Sequence, residues 1–308
     1  MTRVSVVGAG ITGLATAFSL LHDDIDVDLI EASGRVGGKV LTSTVHGIQI
    51  DAGADAFLVR DPHMTELCED LNIRTDLVPP RTGNAFVWSQ GALRPLPSRL
   101  YLGIPFEVSD LEASGLLTPS GLERATQDLT QAANGPATDE SVGSLVRRRL
   151  GNEVMERVVA PLLGGINAGD ADQLSLQGGM PNLAHAASHD PSLIKSIRKH
   201  LELLKGDPSS PVFLTHPKGI GQIINVLYDH VKHRTHINQS VNKIEQASDG
   251  WRILARESFD AKAVVLTTPS FISAELLADT APTAVSYTHL RAHETDSYLV
   301  CRRLLEKK

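Results

Sequence analysis

Apolar positions change their period several times along the chain, and each change marks an element. Val4 to Val7 form a short, largely apolar run that predicts a buried strand, and "LATAFSLL" then repeats at helical spacing. "IDVDLIE" predicts a second strand ending at Glu31, and "GIQIDAGADAF" a third that runs into a small-residue turn. Strand, helix and strand in that order predict an α/β fold with a parallel sheet. Residues 85–95, "AFVWSQGALRP", alternate about Gln90-Gly91 and predict a hairpin.

From about residue 98 to 205 the pattern is helical, broken by "GIP", "NGPATDE" and "SHDPS". Asp139 and Ser141 are N-cap candidates for a helix carrying Val142, Leu145, Val146 and Leu150. A second helix is expected from Asn152 towards Leu163, with Val154, Val158 and Leu162 on one face. After "PSSPVFLTHPKG" the α/β pattern returns: a helix over Ile220 to Val231, strands in "QSVNKIEQ" and "WRILAR", and a buried strand in "AKAVVLTTP". The expected organisation is therefore a nucleotide-binding domain in two pieces, 1–80 and 212–284, interrupted by a hairpin and helical insertion over 81–211.

Composition is that of a globular protein, 42% hydrophobic and 21% charged, and a net charge of -7 argues against nucleic acid as a partner. Two cysteines cannot build a disulfide framework, so the expected compartment is the cytoplasm. "MTRVSVVGAG" lacks an apolar export segment, and no apolar run is long enough to span a bilayer.

The first strand and helix are joined by "GAGITG". In that spacing Gly8 permits the tight turn, Gly10 lets the backbone approach a diphosphate, and Gly13 lets the helix pack on the strand. The diphosphate would rest on the helix N-terminus, where unpaired N–H groups and the dipole favour negative charge. Glu31 closes the second strand 21 residues after Gly10, where a carboxylate can bind ribose hydroxyls.

"EASGRVGGKV" follows the acid, and with it the chain resembles the flavin-containing amine oxidase superfamily, whose members carry E-A-x-x-R-x-G-G after the glycine fingerprint. The resemblance implies FAD. It places Gly8, Ala9, Gly10, Ile11, Thr12, Gly13 and Leu14 at the diphosphate, with Glu31 and Ala32 at the ribose. Arg35, Gly37 and Gly38 would follow the diphosphate and ribityl chain. Lys39 and the turn Gly53, Ala54, Asp55 and Ala56 would line the flavin, and Val241 the adenine. The family often has Pro where this chain has Ala54.

Within that superfamily, "DESVGSLVRRRLGNEVMERVVAPLLGGINAGDADQLSL" is similar to the bacterial porphyrinogen oxidases, with "PLLGGINAGDADQLS" its most discriminating part. The resemblance runs from Arg3 to about Pro282. It implies an inserted substrate domain, and oxidation of coproporphyrinogen III or protoporphyrinogen IX by FAD and dioxygen in haem biosynthesis. Ferrochelatase is a candidate partner, and a peripheral membrane contact stays open. No catalytic side chain is named, because the flavin carries the hard step. Arg81, Arg94 and Arg99 flank the hairpin and suit propionate carboxylates, against the plainer reading of exposed charges. Some relatives have an arginine near Ala85, where this chain has none.

Arg147–Arg149 reads as a solvated helix face, and His230, His233 and His236, like His185 and His189, as ordinary surface histidines. Cys68 reads as a packed small hydrophobe. His289, His293 and Glu294 have metal-ligand spacing, but "VSYTHLRAHET" resembles a translated sequencing adapter. Residues 285–308 are accordingly expected to be non-native, with the family's C-terminal part missing and a non-catalytic FAD-binding fragment as the reading from another class.

Overall fold

The computed structural model of the chain describes residues 2–59, 62–81, 85–130, 139–167, 169–203 and 211–281. The adapter-like tail and its two histidines lie outside them. The chain divides into two compact units, exchanging at Arg81 and again at Pro211.

The first unit is built on a parallel sheet. Strand β1 (Arg3–Val7) leads through Gly8–Gly10 into helix α1 (Ile11–His22), and strand β2 (Asp26–Ile30) returns beside β1 with Val4 opposite Val27 and Val7 opposite Ile30. The Ala263–Leu266 strand lies on the other side of β1, and the Thr235–His236 strand outside β2. Both β1 and β2 are buried along almost their whole length, as the continuous apolar pattern requires of a sheet covered on both faces. Leu14 and Ala17 of α1 meet Ile223, Ile224 and Leu227 of the Gly221–Val231 helix in one core cluster.

An antiparallel meander, Lys243–Ala247, Gly250–Leu254 and Ser258–Ala261, follows. Its third strand is absent from the sequence expectation, because only four residues alternate there, between two turns. "GIQIDAGADAF" forms a strand at Ile48–Asp51, paired in a hairpin with Thr42–Val45, and then an irregular turn.

The second unit carries its own core of helices. The Phe86–Ser89 and Ala92–Pro95 hairpin forms as expected, with Gln90 and Gly91 at φ 53° and 76°, the pair of positive values that a two-residue hairpin turn demands. A shorter hairpin, Leu100–Tyr101 with Ile104–Pro105, occupies the start of the stretch expected to be helical. Ser141 caps the Val142–Leu150 helix by accepting the Ser144 N–H at 3.1 Å. Asp139 does not cap that helix. Two residues further out, it accepts the Gln177 N–H at 3.0 Å and the Ser175 hydroxyl at 2.6 Å.

The next helix starts at Asn152 and reaches Asn167 through a π-helical turn over Met155–Val159. That turn inserts an extra residue into the period, so Leu163 is buried where Leu162 was expected. Arg149 corrects the reading of the arginine run: its side chain is fully buried and donates to Asp128 at 2.9 Å. Arg147 and Arg148 are the surface members, paired with Asp172 and Glu140.

Candidate cofactor site

Everything the glycine motif needs is assembled at the C-terminal ends of β1 and β2. Gly8 sits at φ 101°, a backbone state that side chains rarely adopt, and its N–H bonds the Ile30 carbonyl at 2.8 Å. A methyl on Gly13 would run into the Gly8 carbonyl oxygen, so glycine there is a requirement of helix–strand contact. Gly10 differs: a methyl there would meet nothing within 4 Å, which leaves open space before the helix. Gly10 is the N-cap, makes no side-chain cap bond, and is followed by no acidic residue in the first turn. The N–H groups of Ile11, Thr12 and Gly13 have no carbonyl partner within the helix and are available to an anion.

Glu31 is held before any ligand arrives. One carboxylate oxygen accepts the Ala9 N–H at 2.7 Å and the other the Ser33 N–H at 2.8 Å. Its backbone is fixed as well, by the His236 carbonyl and the Gln239 N–H. A carboxylate has about four lone-pair sites, so acceptor capacity remains for two hydroxyls. Val241 packs on the cluster that contains Val7 and Ile30, the last residues of the two strands. Ala32 is exposed beside Glu31.

The loop after the acid crosses in front of the glycine turn. Gly37 donates its N–H to the Ala9 carbonyl at 2.7 Å, and a methyl on Gly38 would lie 3.1 Å from the Gly10 Cα. Arg35 folds onto this loop, its guanidinium donating to the carbonyls of Gly38 at 2.6 Å and Val36 at 3.2 Å. The Gly53–Ala56 turn is packed against the Lys39 carbonyl, which leaves no room for a side chain on Gly53. The Asp55 carbonyl accepts the Thr215 hydroxyl at 2.5 Å.

Two of the residues assigned to the cofactor by resemblance are buried. Leu14 is wholly in the core with its N–H on the Gly10 carbonyl, and Ala9 is buried with both backbone groups used. They shape the turn from beneath.

Of the three arginines expected as propionate candidates, Arg81 lies exposed in the first unit, while Arg94 and Arg99 belong to the second. Arg99 is gripped by Asp110, with Nε to one oxygen at 2.9 Å and Nη2 to the other at 2.7 Å. This contact, with the Ser98 hydroxyl, holds the Asp110 carboxyl down at about 2. Arg94 sits on the inner face of its hairpin beside Gly115. Gly164 and Gly165 fall within the discriminating "PLLGGINAGDADQLS" stretch, although no role for them is read from the sequence. Both lie in the Ala160–Asn167 helix, and a methyl on either would meet nothing within 4 Å. Neither glycine is needed by packing against the described residues.

The histidines separate. His230 stands edge-on to Phe18, His236 bonds Asp28 at 3.2 Å, and His185 stacks with His189. Cys68 is buried, and burial pushes its thiol up to about 11. No group of three metal-ligating side chains occurs among the described residues, and no helix among them is long and apolar enough to cross a membrane.

The family model of flavin-containing amine oxidoreductases matches residues 11–292. The chain belongs to that family. Relatives include coproporphyrinogen III oxidases of Staphylococcus aureus, 35% identical across 87% of this chain, and of Bacillus subtilis, 31% identical across 90%. A chloroplastic protoporphyrinogen oxidase of Spinacia oleracea is 28% identical across 92% of this chain. The chain spans 61% and 62% of the two bacterial relatives and 54% of the plant one. Among solved structures, an Exiguobacterium protein assigned as a protoporphyrinogen oxidase superposes with a TM-score of 0.75 at 29% identity, covering 92% of this chain and 63% of that one. A cyclohexylamine oxidase of Brevibacterium oxydans shares the fold, with a TM-score of 0.62 at 18% identity.

Proposed function

We propose that residues 1–281 are the larger part of an FAD-dependent oxidase that converts coproporphyrinogen III to coproporphyrin III, with dioxygen as acceptor, in haem biosynthesis. The observation that carries this reading is likeness across both units: the bacterial coproporphyrinogen III oxidases match 87% and 90% of the chain, far beyond the glycine motif.

The residues present fit FAD. The open Gly10 approach and the first-turn amides suit a diphosphate, and Glu31, already oriented by two N–H groups, suits ribose hydroxyls. An acid at that position disfavours a 2′-phosphate, and so NADP. Arg35 braces the loop over the diphosphate, and the Gly53–Ala56 turn would meet the flavin edge. Bound FAD supplies the hydride acceptor; the chain binds, orients and excludes water.

Gly164 and Gly165 support a flat, bulky substrate. Glycine within a helix costs about 0.5–1 kcal/mol relative to alanine, and nothing among the described residues explains two in succession. A bare helical surface that lets a planar macrocycle approach the backbone does explain them.

Arg94 and Arg81 remain the propionate candidates, with Arg99 already held by Asp110. The spinach relative keeps protoporphyrinogen IX as the second substrate reading. For the 308-residue chain alone we propose FAD uptake without turnover, since it spans about three fifths of the bacterial relatives. Fluorimetric detection of porphyrin formed from each porphyrinogen, with a protein of the relatives' full length carrying this sequence, tests the reading. Coproporphyrin formation supports it, and failure with both substrates overturns it.

A further inference from the structure

The Gly53–Ala56 turn and the Gly221–Val231 helix are tied together by two side chains that neither the glycine motif nor the resemblance singles out. Asp51, two residues before the turn, accepts the Thr42 hydroxyl at 2.5 Å and the Ile220 N–H at 3.2 and 3.3 Å. Thr42 in turn accepts the Gly221 N–H at 2.8 Å. The helix has no side-chain cap of its own at Ile220, so these two residues, more than 160 positions away, supply it.

Room for the clamp is made on the helix side. Gly219 sits at φ 89°, and a methyl there would overlap Thr42, as would one on Gly221. One end of the clamp therefore grips a helix whose Ile224 lies 2.9 Å from where a methyl on Gly37 would stand. The other end starts the turn whose Gly53 rests on the Lys39 carbonyl. Lys39 and the Gly53 turn, which would face the flavin half of the cofactor, are thereby tied to one helix. Glu31 and Val241, at the adenosine half, are held by other contacts.

We propose that Asp51 and Thr42 are positioning residues for the flavin half of bound FAD: they fix Lys39 and the Gly53 turn through the Gly221–Val231 helix. The inference rests on the FAD reading of the site. It assigns the clamp no contact with the cofactor and no effect on the adenosine half.

That asymmetry gives the test. The 308-residue chain and its Thr42→Val, Thr42→Ser and Asp51→Ala variants are titrated calorimetrically with ADP and with FAD. The expected result is tighter binding of FAD than ADP by the parent chain. Thr42→Val and Asp51→Ala should then weaken FAD about tenfold, the scale of one lost hydrogen bond, with ADP affinity unchanged, while Thr42→Ser behaves as the parent. If Asp51→Ala does not fold, Thr42→Val against Thr42→Ser carries the comparison. Equal loss for ADP and FAD, or no loss for either, overturns the proposal, as does a parent chain that binds FAD no more tightly than ADP. A parent chain that binds neither nucleotide overturns the FAD reading itself, a separate outcome.

Discussion

Gly165 and Gly13 are both glycines on helices, and their surroundings give them opposite meanings. A methyl on Gly13 would enter the Gly8 carbonyl, whereas one on Gly165 would stand in open space. Gly165→Ala should therefore raise thermal stability by about 0.5–1 kcal/mol while weakening porphyrin binding in the full-length enzyme. Calorimetric unfolding beside a porphyrin titration measures both. Stabilisation with unchanged porphyrin affinity would remove the role given to that helix surface. Glycine spacing was legible in the sequence at Gly8, Gly10 and Gly13 because a strand, a helix and Glu31 surround it. The Gly164–Gly165 pair was not, because only the environment of each missing Cβ tells a packing glycine from a bare one.

Two carboxylates organise the second unit at the level of its elements, and they do so differently. Asp128 is buried. It takes Arg149 on one oxygen, and on the other the Ser192 hydroxyl and the Ile194 N–H, at 3.0 and 2.9 Å. Asp128→Ala would strand a buried guanidinium and should cost about 3–5 kcal/mol, with much of the loss recovered by adding Arg149→Met. Denaturant unfolding of the single and double variants measures this, and a single variant within 1 kcal/mol of the parent would contradict the pairing.

Asp110 is the pH-sensitive partner. Its carboxyl is held at about 2 by Arg99, below its unfolded value, so the stabilisation is complete above the unfolded pKa and is lost as pH falls through about 2. With Arg99 half exposed, the effect should be about 1 kcal/mol. Stability should drop between pH 4 and pH 2, and Asp110→Asn should flatten that segment of the curve. An unchanged slope would contradict it.

The sequence pattern located most elements but misjudged features that depend on partners far along the chain. Arg149 looked like surface charge because its partner is 21 residues away in sequence, and the shift to Leu163 needed a π turn that no periodicity shows. The Asp51–Thr42 clamp was hidden for the same reason.

At the scale of the whole molecule, two compact units share one chain, and the first is entered twice, before Arg81 and after Pro211. Its parallel sheet needs both passes, since β1 lies between β2 and the Ala263–Leu266 strand. The sequence pattern switches from α/β to helical and back near the same two points. The position of Arg94 on the inner face of its hairpin, and the hold of Asp110 on Arg99, were not readable, because spacing alone does not reveal which charges are already paired.

The most direct test of the central claim is anaerobic mixing of coproporphyrinogen III with FAD-loaded protein of the relatives' full length, obtained by reamplifying the reading frame from source DNA. Flavin absorbance near 450 nm and porphyrin fluorescence are followed together. The account predicts bleaching of the flavin on mixing, as each FAD takes one electron pair of the three the porphyrinogen must lose, and then recovery of the flavin colour with coproporphyrin formation when dioxygen is admitted. A flavin that stays oxidised in the presence of both coproporphyrinogen III and protoporphyrinogen IX would contradict it.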